Sequence, residues 1–278
     1  MSGKKTIPSE AIAMWNSQQL DQYREQGFLA QPGLLAQDEL SSLQTAANEL
    51  VTRYEGIAEL TGDDAENGVH YVKENNGALR SLFAAHRRIE AFRQTIRLPK
   101  IADPLKQIFG NDAYVFHSKL NVKDAFEGAV WLWHQDYGYW QYDGVDDRMA
   151  SVLIMLDKTT IHGGCILFVP GSHKWGVLDH QSDEKTTNYK QWCVTKSALQ
   201  ERIPDDSVYV SVVGEPGDVF FFDCNILHGS GHNLSATSRK TLIYACADLS
   251  NQPTGVDNPR PDWVVDRQFE PITNECVL

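Results

Sequence analysis

The chain has 278 residues, 42% of them hydrophobic, and a formal net charge of −12 from 25 basic and 37 acidic side chains. That hydrophobic content is enough for a core and excludes disorder as the default, while the acidity excludes nucleic-acid binding through a basic face and reads as solubility. The apolar runs are too short to span a bilayer.

In chain order, residues 1–16 read as a loose arm. Ser17 is placed to cap a short helix, QQLDQYREQ, that stops at Gly27. Phe28-Leu29 reads as a brief strand before the turn at Gln31-Pro32-Gly33. A helix from about Gln37 to Tyr54 follows, with Leu40, Leu43, Ala47, Leu50, Val51 and Tyr54 in the three-and-four rhythm of one buried face. Residues 61–68, TGDDAENG, read as a polar loop. Residues 78–96 read as helix ended by Pro99, and Ile101 to Phe109 as a short helix stopped by Gly110. After Gly110 the pattern becomes strands: AYVFHSKLNVK, AVWLWHQD, MASVLIMLDK, GCILFVPG, SVYVSVV, GDVFFFD and TLIYACAD.

Helices first and strands later give an α+β fold, with N-terminal helices buttressing one sheet of a jelly-roll core, a cupin-like double-stranded β-helix. The whole of 1–278 is expected to form one domain. Residues 1–110 are its mainly helical support, 111–250 the jelly roll and 251–278 a tail. Residues 176–210 are a long polar insertion able to serve as a lid or as a mere surface excursion. The start, MSGKKTIPSE, lacks an apolar h-region. Five widely spaced cysteines (Cys165, Cys193, Cys224, Cys246, Cys276) contain no CxxC and read as reduced thiols of a cytoplasmic protein.

The stretch WLWHQDYGYW, residues 131–140, carries His134 and Asp136. On a strand, side chains two apart point the same way, so an imidazole and a carboxylate would form two legs of a metal site. His228, at the end of GDVFFFDCNIL, is the natural third. Two histidines and one carboxylate with open positions make the facial triad of non-haem Fe(II) oxygenases. Arg239 opens the next strand and could clamp a carboxylate with its two-pronged fork, the task of a 2-oxoglutarate anchor. His173, in PGSHKWG, follows Pro-Gly and has no HxD partner, so it is read as shaping the rim. His117, His162 and His232 are likewise not read as ligands.

WHQDYGYWQYDG, LFVPGSH and FDCNILHGSGHN followed by Arg239 resemble the phytanoyl-CoA dioxygenase superfamily of Fe(II)/2-oxoglutarate-dependent oxygenases, most nearly its ectoine hydroxylase-like members. The likeness covers most of residues 110–250. It implies that His134, Asp136 and His228 are the catalytic iron ligands, that Arg239 and Ser230 hold the distal carboxylate of 2-oxoglutarate, and that Asn121, Trp140 and Ser151 line the cosubstrate. It also implies O2 as the oxidant, with succinate and CO2 released. The chain departs from the ectoine hydroxylase pattern after the metal histidine, where Gln135, Tyr137, Gly138, Tyr139 and Gln141 stand; ectoine is therefore not expected as the substrate.

Tyr137 and Tyr139 could hold a cation by cation–π attraction or simply pack the wall. His117, Lys119 and Lys123 on the preceding strand could meet an anion. Together they suggest hydroxylation of a small zwitterion: an amino acid, a betaine, or an aminophosphonate such as a (trimethylamino)ethylphosphonate. The rivals are the same chemistry on a larger acyl-thioester or natural product, and a non-catalytic metal-binding jelly roll. The partners expected are a small-molecule substrate and, conceivably, a second copy in a homodimer, with neither nucleic acid nor membrane.

Overall fold

The computed structural model describes residues 14–66, 68–187, 189–205 and 208–273. Most of the arm 1–16, the end of the tail and Cys276 lie outside the described residues. The elements are α1 (Ser17–Gln26), β1 (Phe28–Gln31), α2 (Gln37–Glu55), β2 (Thr61–Asp64), β3 (Val69–Lys73), β4 (Leu79–Phe83), α3 (Glu90–Ile96), α4 (Pro99–Phe109) and β5 (Ala113–Lys123). They continue with β6 (Trp131–His134), α5 (Asp136–Trp140), β7 (Met149–Met155), β8 (Ile166–Phe168), β9 (His180–Asp183), β10 (Gln191–Val194) and α6 (Lys196–Arg202). The remaining strands are β11 (Val210–Val212), β12 (Val219–Asp223), β13 (His228–Ser230) and β14 (Arg239–Asp248).

An eight-stranded antiparallel sheet runs β1-β12-β7-β14-β5-β4-β3-β2, and a four-stranded sheet runs β11-β8-β13-β6. One apolar cluster joins them: Leu153, Phe220, Phe222 and Ile243 from the large sheet meet Phe168 and Val212 from the small one. The other face of the large sheet, with Val152, Ile154, Phe221, Leu242 and Tyr244, is covered by Leu40, Leu43, Ala47, Leu50 and Tyr54 of α2. Alternation along β14 therefore sends Ile243 inward and Leu242 and Tyr244 to the helices.

The cap of α1 is Asn16, not Ser17: Asn16 Oδ1 accepts from the Gln19 amide and Gln19 reaches back to the Asn16 amide. Gly27 ends the helix at φ 81°, a left-handed conformation suited to glycine. Two further expectations in the first third fail. TGDDAENG is no mere loop, since Thr61–Asp64 pairs with β3 as the edge of the large sheet. Residues 78–96 are not one helix: Leu79–Phe83 is a strand buried at every position, which erased the period-two signal. The N-terminal third thus contributes β1–β4 to the main sheet as well as helices to its back.

The candidate metal and cosubstrate site

The premise that His134 and Asp136 share a strand is incorrect. β6 ends at His134, and Asp136 opens the short helix α5. Gln135, fully buried between them, explains the break. Its Nε2 donates to the carbonyls of Gly176 and Asn225, and its Oε1 accepts from the Leu178 amide. The chain is pinned there and turns, so the carboxylate comes to the imidazole by a helix start instead of by pleat.

β13 pairs with β6 so that His228 stands opposite His134. The rings lie 4.1 Å apart between centroids. Both Nε2 atoms face one carboxylate oxygen, Asp136 Oδ1, at 3.7 Å from His134 and 3.9 Å from His228. All three residues are buried, and one ligand atom from each lies within 4.8 Å of the others. Each Nδ1–H donates to a main-chain carbonyl, Leu132 for His134 (2.6 Å) and Ile226 for His228 (3.0 Å). This fixes the tautomer that leaves Nε2 free to ligate. Burial pushes both imidazoles toward the neutral form a metal needs, His134 further because His228 and Lys119 add positive charge beside it. The donor set fits a divalent metal with open positions.

Arg239 begins β14 opposite Lys123 on β5. It is buried, donates through Nε to Gly163 O at 2.9 Å and through Nη2 to Gly164 O, and has no carboxylate partner among the described residues. Burial pushes its pKa down to about 10. Ser230, two residues beyond His228, has a buried hydroxyl with no hydrogen-bond partner among the described residues. An unpaired buried guanidinium and an unpaired hydroxyl are costly unless a ligand completes them; both fit the free end of a dicarboxylate. Asn121 lies one inward position along β5 from Lys123, and its Oδ1 accepts from Ser81 Oγ at 2.8 Å.

A cavity in front of His134 and Asp136 is lined by Phe83, His117, Lys119, Trp131, Tyr139, Trp140, Tyr189, Arg260 and Val264. His117, Lys119, Tyr139 and Trp140 were foreseen as site residues, though Trp140 packs on Phe116 at 5.6 Å in the wall. His117 is held neutral, its pKa pushed down to about 3 by burial and then by Lys119 and Arg260. Two assignments change, those of Tyr137 and Lys123. Tyr137 does not line the cavity; its hydroxyl donates to Val145 O. Lys123 belongs to the Arg239 corner and donates to Gly231 O. Ser151, expected at the cosubstrate, donates to Asp136 Oδ2, one of the three clustered residues. His173 is no ligand: its ring covers Gly27 and its Nε2 donates to Arg24 O, tying this turn to α1.

Sequence reasoning missed Phe83, Tyr189, Arg260 and Val264. Tyr189 comes from the insertion, whose β9–β10 hairpin is bolted to the site. Leu132 N donates to Gln191 Oε1, and Trp192 N donates to Tyr139 Oη at 2.9 Å. Arg260 comes from the segment after β14 and is gripped by both oxygens of buried Asp143. Only the dense Pro-Arg-Pro-Asp-Trp run marked that segment as more than tail.

A model of the family described as Phytanoyl-CoA dioxygenase (PhyH) matches residues 23–241. The chain is 27% identical over 266 residues to an ectoine dioxygenase of Sphingopyxis alaskensis, covering 92% of this chain and 84% of that protein. It is 27% identical over 263 residues to an L-proline trans-4-hydroxylase of Streptomyces griseoviridis, covering 90% and 92%. The crystal structure of EctD from S. alaskensis with 2-oxoglutarate and 5-hydroxyectoine superposes with a TM-score of 0.77 at 26% identity, over 95% of this chain and 87% of that one. With the family model spanning most of its length, this chain belongs to the phytanoyl-CoA dioxygenase family.

Proposed function

We propose that the chain is an Fe(II)- and 2-oxoglutarate-dependent dioxygenase that hydroxylates an unactivated C–H of a small zwitterionic substrate and releases succinate and CO2. The observation that carries this is the buried His134–Asp136–His228 cluster beside a buried, carboxylate-free Arg239 and an unpaired Ser230 hydroxyl. Relatives named ectoine dioxygenase and L-proline trans-4-hydroxylase, and EctD crystals with bound Fe and with 2-oxoglutarate, support it.

His134, Asp136 and His228 would hold iron, while Arg239 and Ser230 would orient 2-oxoglutarate, with Asn121 and Lys123 beside them. Ferrous iron with 2-oxoglutarate supplies oxygen activation; the chain supplies ligation, orientation and exclusion of water. The cavity walls Trp131, Tyr139 and Tyr189 shield the reacting carbon, and the docked hairpin covers it as a wall or lid. Lys119, His117 and Arg260 converge where a substrate acid group would sit. The aromatic walls and the covering hairpin disfavour a bulky acyl-thioester, and a mere metal store would have no use for Arg239.

The test is anaerobic addition of Fe(II) and 2-oxoglutarate, which should raise a weak visible charge-transfer band, followed by substrate-triggered succinate release across a panel of small zwitterions. Absence of the band refutes the cosubstrate site.

A further inference from the structure

Three cations stand in or behind the cavity wall, and they are not equivalent. Arg80, buried behind Trp131, is salt-bridged to half-buried Glu74 and donates to Val130 O. Arg260 is neutralised by Asp143. Lys119 Nζ has no hydrogen-bond or ion-pair partner among the described residues. It projects from the inward face of β5, two residues from His117, whose buried Nδ1 is also unpartnered. Asp136 is the acid whose charge reaches Lys119, but the two form no ion pair: Oδ2 accepts from Ser151 and Oδ1 faces the two imidazoles. A half-buried ammonium with no direct ion-pair partner is a costly arrangement that a bound anion would relieve.

The aromatic surface bears on the same point. The Lys119 ammonium lies 5.1 Å and the Arg80 guanidinium carbon 4.1 Å from the Trp131 ring centroid. Arg80 also lies 5.7 Å from the Tyr189 centroid. The rings best able to hold a substrate ammonium are thus already engaged by the protein's own cations, which repel another. Tyr137, the other expected cage member, does not line the cavity.

We propose that Lys119 makes this enzyme select substrates with an uncompensated negative charge: small molecules whose acid groups outnumber their ammonium groups. This rests on the oxygenase reading above and narrows it. Within zwitterions it favours those with a second acidic group or a dianionic phosphonate, and disfavours betaines and simple amino acids.

The experiment uses isosteric pairs differing by one charge: aspartate and asparagine, glutamate and glutamine, 2-aminoethylphosphonate and 2-aminoethanesulfonate at pH 8. Binding to the anaerobic iron–2-oxoglutarate enzyme is read from the perturbation of its visible band. The wild type should bind the more anionic member of at least one pair about tenfold tighter or more, the scale of one charge-assisted contact. In Lys119→Met the ratio should collapse toward one although the band still forms, and in Lys119→Arg it should persist. The proposal is overturned if the net-neutral members bind as well, if the preference survives in Lys119→Met, if it is lost equally in Lys119→Arg, or if no net-anionic member binds. Failure of the band in the wild type would instead overturn the oxygenase reading, so the two failures are distinguishable.

Discussion

Ser151 Oγ donates to Asp136 Oδ2 at 3.1 Å, from a position on β7 with no solvent exposure. Tying one carboxylate oxygen leaves Oδ1 alone to face the two imidazoles, which favours one-oxygen ligation and keeps other positions open. Ser151→Ala should weaken metal binding by about tenfold to a hundredfold, the usual cost of losing a ligand's supporting hydrogen bond. Calorimetric titration with Co(II) checks this; unchanged affinity would remove Ser151 from the site.

Asp136→Ala removes the carboxylate outright. Succinate formation should fall to background, and the anaerobic charge-transfer band should vanish or shift. Retained hydroxylation by the variant would refute the ligand assignment.

Arg239→Gln should raise the 2-oxoglutarate KM by at least about tenfold, since a buried charged pairing is replaced by a neutral one. Ser230→Ala should have the same direction and a smaller size. Steady-state kinetics with 2-oxoglutarate as the varied reactant separate these from effects on the prime substrate.

A Cβ at Gly138 would fall within the His180 ring, whose Nδ1 donates to Leu178 O and whose Nε2 accepts from the Gln135 amide. Gly138→Ala should therefore destabilise the fold by about 1–3 kcal/mol, the usual range for overpacking, and displace the β9–β10 hairpin. Denaturant unfolding, with limited proteolysis within residues 180–194, reads both.

Asp266 is buried, and burial alone would raise its pKa; hydrogen bonds from His86 and Arg87 more than offset this and hold it well below the usual carboxylate range. A depressed folded-state pKa gives stability that is present above about pH 4, the unfolded value, and is lost as pH falls through the acid range. Asp266→Asn should cost about 2 kcal/mol at pH 7 and less as pH is lowered from 4 toward 2. Melting curves across that interval check the sign.

The metal cluster was legible because residue types, not conformations, announced it. His134, Asp136 and His228 meet as expected although the strand argument for the first two was mistaken, Gln135 having diverted the backbone. The helix α2 and the strands after Gly110 followed their periods because each has one buried face or a clear apolar run. β4 did not, being buried at all five positions. The Ser151–Asp136 contact was not legible because a hydroxyl in a strand does not declare which neighbour it serves. Arg260 and Tyr189 were invisible because each is a single residue on irregular chain, brought in by Asp143 and by the hairpin.

The edge strand β1 pairs with β12, Phe28 opposite Phe222 and Gln31 opposite Val219. On the ribosome, Phe28–Gln31 is made early, but its partner exists only after Val219–Asp223 has emerged. Phe28 and Leu29 must wait without their hydrogen-bonding neighbour through most of synthesis, the kind of distant pairing that slows folding and invites association between nascent chains. Production of this protein should therefore benefit from low temperature and slow translation.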